Sequence, residues 1–212
     1  MARRSQTAAV ALLTLLVWAQ AAHGFDGQRK GMVLGIGLGV TPSSIIAGEP
    51  GSSPYQETGS GISIPVQIGW AWSDRDMLTG LATPLVHHST LFDDHVVEGV
   101  VAAAWTHYWG PQGRAPFTTL GLGEYVYEQL PGYIGDLSNL FRPEPARPDT
   151  PDRNGPGFLV GGGYEFANHV QAGCYVSGGR VSGWNSAALS GRSGRIDYTV
   201  ERVDVALTWV AY

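Results

Sequence analysis

The residues whose types and spacing could do chemistry lie in one short stretch: His87, His88 and Ser89, followed by Asp93, Asp94 and His95. A serine hydrolase needs a hydroxyl nucleophile, a histidine within hydrogen-bond reach to take its proton, and a carboxylate to orient that histidine. All three types are present. Neighbouring residues of a strand point to opposite faces, so His88 and Ser89 cannot pair, whereas His87 and Ser89 share a face. The same imidazoles and carboxylates could ligate a metal, but their spacing fits no defined ligand pattern, and loop clusters of this kind are usually solvated. No residue is therefore assigned as catalytic, metal-ligating or cofactor-binding, and no cofactor is expected.

Strands must position that patch. Gly61–Trp72 reads GISIPVQIGWAW, with Ile62, Ile64, Val66, Ile68, Trp70 and Trp72 on alternate positions and Ser63, Pro65, Gln67, Gly69 and Ala71 between them. One face of such a strand is continuously apolar and the other small or polar. Pro65 has no N–H for a ladder, which predicts a bulge or an unpaired carbonyl opposite it. Earlier, Met32, Leu34, Ile36, Leu38 and Val40 alternate with Gly31, Val33, Gly35, Gly37 and Gly39. Repeated glycine weakens a strand unless its face lines a narrow closed barrel, whose interior fills quickly. A phosphate-cradling glycine loop is the competing reading, but no helical pattern follows it.

Further strands are expected at Met77–His87, Val96–Trp109, Phe117–Glu128, Gly157–Phe166 and Val170–Gly178, and over the closing run RIDYTVERVDVALTWVAY. The connections Thr41–Ser60, Ser73–Asp76, His88–Asp94, Gly110–Gly113, Leu130–Pro156, Ala167–His169 and Ser182–Gly194 run long, short, moderate, short, long, short, long. Every even-numbered connection is short. An up-and-down membrane barrel with both termini in the periplasm has short turns on that side and longer loops outside. The expected fold is all-β: an antiparallel up-and-down transmembrane β-barrel of about eight strands, as the connection pattern demands.

The faces are then assigned. Val97, Val101, Ala103, Trp105 and Trp109 share one side of the fourth strand; on the fifth, Phe117, Tyr125 and Tyr127 oppose Glu124 and Glu128. Trp70, Trp72, Trp105, Trp109, Phe117, Trp209 and Tyr212 lie beside short turns or the C-terminus and are expected at the periplasmic interface, with Tyr125 and Tyr127 near the outer one. Glu98, Glu124, Glu165, Arg202 and Asp204 take the polar parity. They are expected inside as an ionic plug, Arg202 pairing with a carboxylate, because unpaired buried charge is costly. A small gated pore is the alternative to the plug, though so few strands leave little open interior. A soluble lipocalin-like binding barrel, apolar inside, is the alternative architecture.

Composition agrees. The chain has 212 residues, 30 of them Gly, with only 15% charged, against roughly 25% in soluble domains. Arg3 and Arg4, the apolar run Ala8–Trp18 and Ala19-Gln20-Ala21 read as a secretory signal peptide over residues 1–21, its apolar core too short to span a bilayer as a helix. Residues 22–212 form the barrel domain, with Ala22–Arg29 a flexible lead. Cleavage removes two arginines and no acid, taking the formal charge from −5 to −7, which argues against nucleic acid as a partner. Cys174 is the sole cysteine and cannot form an internal disulfide.

The signal peptide, the alternating strands and the closing strand RVDVALTWVAY, ending on aromatic Tyr212, resemble small outer-membrane β-barrels of the OmpA/OmpX-like type. The stripe Val203, Val205, Leu207 and Trp209 is out of step with Tyr212, which departs from that pattern. The resemblance implies a monomeric, porin-like cell-envelope protein of a Gram-negative cell, embedded in outer-membrane lipid and inserted by the barrel-assembly machinery. Its role would be structural or surface-interactive, with an extracellular ligand met through the outer loops Thr41–Ser60, Leu130–Pro156 and Ser182–Gly194. Some such barrels modify lipid A, and their deacylases set His and Ser two residues apart on one face. His87 and Ser89 have that spacing, although the residues around them do not match, so an acyl hydrolase at the outer rim is the alternative function.

Overall fold

A computed structural model describes residues 28–48, 54–89, 94–129, 154–185 and 194–212. The signal-peptide segment, most of Leu130–Pro156 and Asp93 lie outside these residues. Among the described residues ten strands are formed: β1 (Gly31–Gly48), β2 (Tyr55–Ser63), β3 (Val66–Ala71), β4 (Asp76–Ala82), β5 (Leu85–Ser89), β6 (Asp94–Tyr108), β7 (Ala115–Gln129), β8 (Asn154–Ala167), β9 (Val170–Asn185) and β10 (Gly194–Ala211). All pair antiparallel with their neighbours, and β10 returns to β1, so the sheet closes on itself.

Two pairs of strands are single wall segments. β2 and β3 are separated only by Ile64 and Pro65, and β4 and β5 by Thr83 and Pro84. The register runs through both breaks: Gly39 faces Ser63 and Ile36 faces Val66. The ring thus has eight segments. Gly37 donates to the Pro65 carbonyl at 2.8 Å, and Pro65, having no N–H, returns nothing. Of the two consequences expected at Pro65, the lost bond is present and the bulge is not. The irregularity in register lies instead between Glu165 and Ala167, at the end of β8.

The pairing partners step from Ser44 through Glu201, Gly178, Phe158, Leu122, Ala103, Gly80 and Ile68 to Leu34, so one circuit returns ten residues down β1. That stagger tilts the strands by about 35–45° and leaves an interior only wide enough for side chains. Glycine is needed where the neighbouring strands crowd closest. A Cβ on Gly163 would lie 2.0 Å from the Ala172 carbonyl oxygen and 2.7 Å from the Phe117 ring.

Burial is inverted relative to a soluble barrel. Leu38, Val40, Ile62, Ile68, Leu120, Leu122, Val205 and Leu207 are exposed on the outside, Leu122 by 75%. Trp70, Trp72, Trp105, Trp109 and Trp209 form an outward belt at the short-turn end, as expected. Inside lie Glu98, Glu165, Arg202 and Asp204, all nearly fully buried. The lipocalin-like alternative required the opposite arrangement and is excluded.

Several expectations need correction. Phe117, Tyr125 and Tyr127 face inward and are buried, while Leu120, Leu122 and Glu124 face out. The reason is volume: Gly179 and Gly157 leave a gap that the Tyr125 side chain fills, a Cβ on Gly179 falling 2.3 Å from that of Tyr125. Tyr212 also turns inward and is buried. The interior is accordingly mixed, with two apolar clusters, one around Tyr108, Phe117 and Met77 and one around Tyr125, Tyr198 and Ile45. The loops are shorter than expected, because β1 runs on to Gly48, β2 starts at Tyr55, β9 reaches Asn185 and β10 starts at Gly194. Ser43, Ile45 and Ala47 still alternate inward there, and Pro42 is tolerated on the exposed face. Finally, Arg29 is no part of a flexible lead; it is 2% exposed.

Gly163→Val should destabilise the barrel by about 1–3 kcal/mol through overpacking, read as a lower denaturant midpoint in detergent. The outward Cys174→Val should leave it nearly unchanged.

Candidate functional site

The hydrolase and metal readings both turn on His87. β5 directs it into the barrel, where a Cβ on Gly59 would lie 2.8 Å from Nδ1; this nitrogen donates to the His88 carbonyl at 3.3 Å, and Nε2 is 3.7 Å from Glu98 Oε1. His88 faces outward. In the ladder His88 stands opposite His95, and Ser89 opposite Asp94. A base acting on an ester of membrane lipid has to face the lipid, and His87 faces the other way. Among the described residues no three His, Cys, Asp or Glu side chains assemble to hold a metal. The organised polar chemistry lies instead in two layers that cross the lumen.

The first layer is built on Arg202 of β10. Its Nε and Nη2 donate to the two oxygens of Asp204 at 3.0 and 2.8 Å. Nη2 also reaches the Thr83 carbonyl at 2.7 Å, and Nη1 the Glu98 carbonyl at 3.1 Å, both on the far wall. The Thr41 hydroxyl donates to Asp204 Oδ1. A planar guanidinium suits this task because its donors form a rigid fork. The expected pairing of Arg202 with a carboxylate is found, and the carboxylate is Asp204. Glu98 is inside as expected, but among the described residues its two carboxylate oxygens have no hydrogen-bond partner. Glu124, expected here, is outside.

The second layer closes the short-turn end. Arg29 Nη2 pairs with Glu165 Oε2 at 2.8 Å, and Nη1 donates to the carbonyls of Asp74 and Gly110 at 2.8 and 3.5 Å. Its guanidinium carbon stands 4.0 Å from the Tyr108 ring centre, within cation–π range. Glu165 also accepts from the Gly113 N–H at 2.6 Å and the Tyr212 hydroxyl at 3.2 Å. Gly113 has φ +80°, a conformation that glycine adopts freely. Tyr108 completes the layer, donating to Gln171 at 3.0 Å and meeting the Tyr212 hydroxyl at 3.1 Å.

Between the layers lies a cavity of about 10 Å³, lined among others by Pro65, Gln67, Thr83, Tyr175 and Thr208. That is room for about one water. Sequence reasoning placed Glu165 and Arg202 correctly by parity. It missed Arg29, because a single arginine before a strand carries no periodicity, and it missed the backbone carbonyls, which no side-chain pattern reveals. Arg202→Met strands the Asp204 charge and should cost about 3–5 kcal/mol, whereas Arg202→Met with Asp204→Leu should recover most of it. Thermal unfolding of the detergent-solubilised variants reads both.

No protein-family model matches the chain, and no curated protein matches it either. Solved structures do. The chain is similar to the outer membrane protein OprG of Pseudomonas aeruginosa, at 14% identity and a TM-score of 0.46, covering 88% of this chain and 99% of that one. It is also similar to Neisserial surface protein A, at 10% identity and a TM-score of 0.46, covering 83% and 96%. The attachment invasion locus protein Ail of Yersinia pestis matches at 9% identity and a TM-score of 0.41, covering 85% and 99%. The likeness is one of fold, and this chain's own register defines that fold: a closed antiparallel β-barrel of eight wall segments.

Proposed function

We propose that this chain is an integral outer-membrane protein of a Gram-negative cell, exported through a cleaved signal peptide over residues 1–21. In this reading the barrel is a rigid, lumen-closed scaffold that presents its outer connections to an extracellular partner. One observation carries the membrane reading: the inversion of burial, with leucines and valines outside and a paired guanidinium and carboxylates inside. Water penalises that exterior and hydrocarbon favours it. The tryptophan belt at the short-turn end suits an interface between lipid and water. Trp105 and Trp109 keep their indole N–H groups bonded, to Asp76 at 3.2 Å and Thr118 at 3.3 Å.

The two polar layers support a plug over a pore. The outer rim supports interaction over catalysis, since His87 is turned into the barrel beside Glu98. Outer-membrane lipid is the first partner, with the barrel-assembly machinery during insertion. Closure without an unpaired edge favours a monomer.

Fractionation should recover the protein with the outer membrane, and unheated samples should migrate on a gel differently from boiled ones; recovery as a soluble periplasmic protein sinks the reading. Leu38→Arg should cost about 2–4 kcal/mol in lipid vesicles, and Ser44→Arg, higher on the same face, about 0–1. Planar-bilayer recordings should show negligible ion conductance. His87→Ala should leave the acyl-chain pattern of lipid A in an expressing strain unaltered.

A further inference from the structure

Arg29 does not belong to the wall that it closes. It precedes β1, and the chain between them bends at Gly31, whose φ of +101° lies in the region that side chains disfavour. That bend carries the guanidinium under the barrel and into the short-turn mouth. What surrounds it there is matched to a planar cation. The Glu165 carboxylate and the carbonyls of Asp74 and Gly110 accept its N–H groups, and the face of Tyr108 lies against it. These groups come from β8, from the turns after β3 and β6, and from β6 itself, so the cradle is a property of the barrel. Only its occupant is supplied by the lead. The remaining donors to Glu165, the Gly113 N–H and the Tyr212 hydroxyl, are neutral. With Arg29 withdrawn, a carboxylate that is 1% exposed would hold no countercharge among the described residues, a costly state that any fitting cation would relieve.

We propose that the short-turn mouth is a guanidinium-binding cradle which Arg29 fills in cis, and that the Arg29 side chain is thereby a displaceable strap sealing the lower lumen. The ligand class it admits in place of Arg29 is a small planar cation, a guanidinium or amidinium. The small cavity meets the floor through Gln171, which accepts from Tyr108, and meets the upper layer through Thr83, whose carbonyl accepts from Arg202, so unseating the strap opens it from the floor side only. This inference stands on the described side chains and does not require the membrane reading.

The test uses the full chain, purified in detergent, with Cys174→Ser removing the native thiol and Thr208→Cys placing one on the cavity wall. Sulfonatoethyl methanethiosulfonate is the probe, and retained gel mobility of the unheated protein confirms folding in each variant. With Arg29 present, labelling should be slow. Arg29→Ala should raise the rate about tenfold by opening the mouth, and millimolar methylguanidinium should reverse most of that rise, while sodium at equal ionic strength should not. Gly31→Ala, which leaves all the cradle chemistry in place but opposes the bend, should also raise it. Should Arg29→Ala fail to fold, Gly31→Ala and Glu165→Gln decide. Unchanged labelling in the folded variants overturns the strap, and a rise that methylguanidinium does not reverse overturns the cradle.

Discussion

Closure of the hydrogen-bond ladder between β1 and β10 is the constraint on which everything else depends. A sheet that returns to its own first strand has no edge, so its backbone groups are satisfied within the wall and none need water. The same closure fixes inside and outside for every residue, because side chains alternate along each segment. It also fixes the bore. Eight segments with a ten-residue stagger make an interior that side chains fill but for one small cavity. Whatever enters that interior must be small, must be an apolar or aromatic side chain packed against its neighbours, or must bring its own partner.

The two buried arginines meet the third condition, and they do so across the barrel. Arg202 draws two carbonyls from the opposite wall, and Arg29 reaches Glu165, 136 residues away. Such contacts join segments that the ladder does not. The ladder couples each segment only to its neighbours, so a narrow tube could still flatten; a strut across the lumen resists that. Charge inside and leucine outside are thus two results of one cause. The middle of the exterior can be apolar because the interior takes most of the ionic groups, Arg202 with Asp204 and Arg29 with Glu165.

How much of this was legible depended on whether the signal was periodic. On β1, β3, β6, β8, β9 and β10 the alternation of large apolar with small or polar residues states the faces directly, and the structure agrees. β7 misled because its larger residues, Tyr125 and Tyr127, are interior packing, whereas the outward face carries Leu120, Leu122 and Glu124. Aromaticity there reports the volume left by glycines on neighbouring strands, which no single segment reveals. The extensions of β1, β2, β9 and β10 are hard to read because most of their outward residues are polar, Ile46 excepted, so the contrast that marks a strand elsewhere is lost. Arg29 and the carbonyls of Thr83 and Glu98 were invisible for a different reason: their meaning arises only when distant segments meet.

The placement of Arg202 is best understood through the prolines. The β1–β10 ladder skips Thr41 and Pro42, pairing Val40 with Val205 and resuming at Ser43 with Arg202. On the other side of the lumen, Thr83 and Pro84 interrupt the segment formed by β4 and β5. Thr83 donates to Val100 at 3.0 Å, but Val100 approaches the Thr83 hydroxyl at 3.5 Å and the Thr83 carbonyl receives Arg202. The Thr41 hydroxyl, beside the other gap, binds Asp204. One ion pair therefore ties together two of the places where the wall has lost ladder bonds. Removing it would expose both weaknesses at once, which is why a hydrophobic replacement of the pair could restore its charge balance but not the carbonyl bond at Thr83.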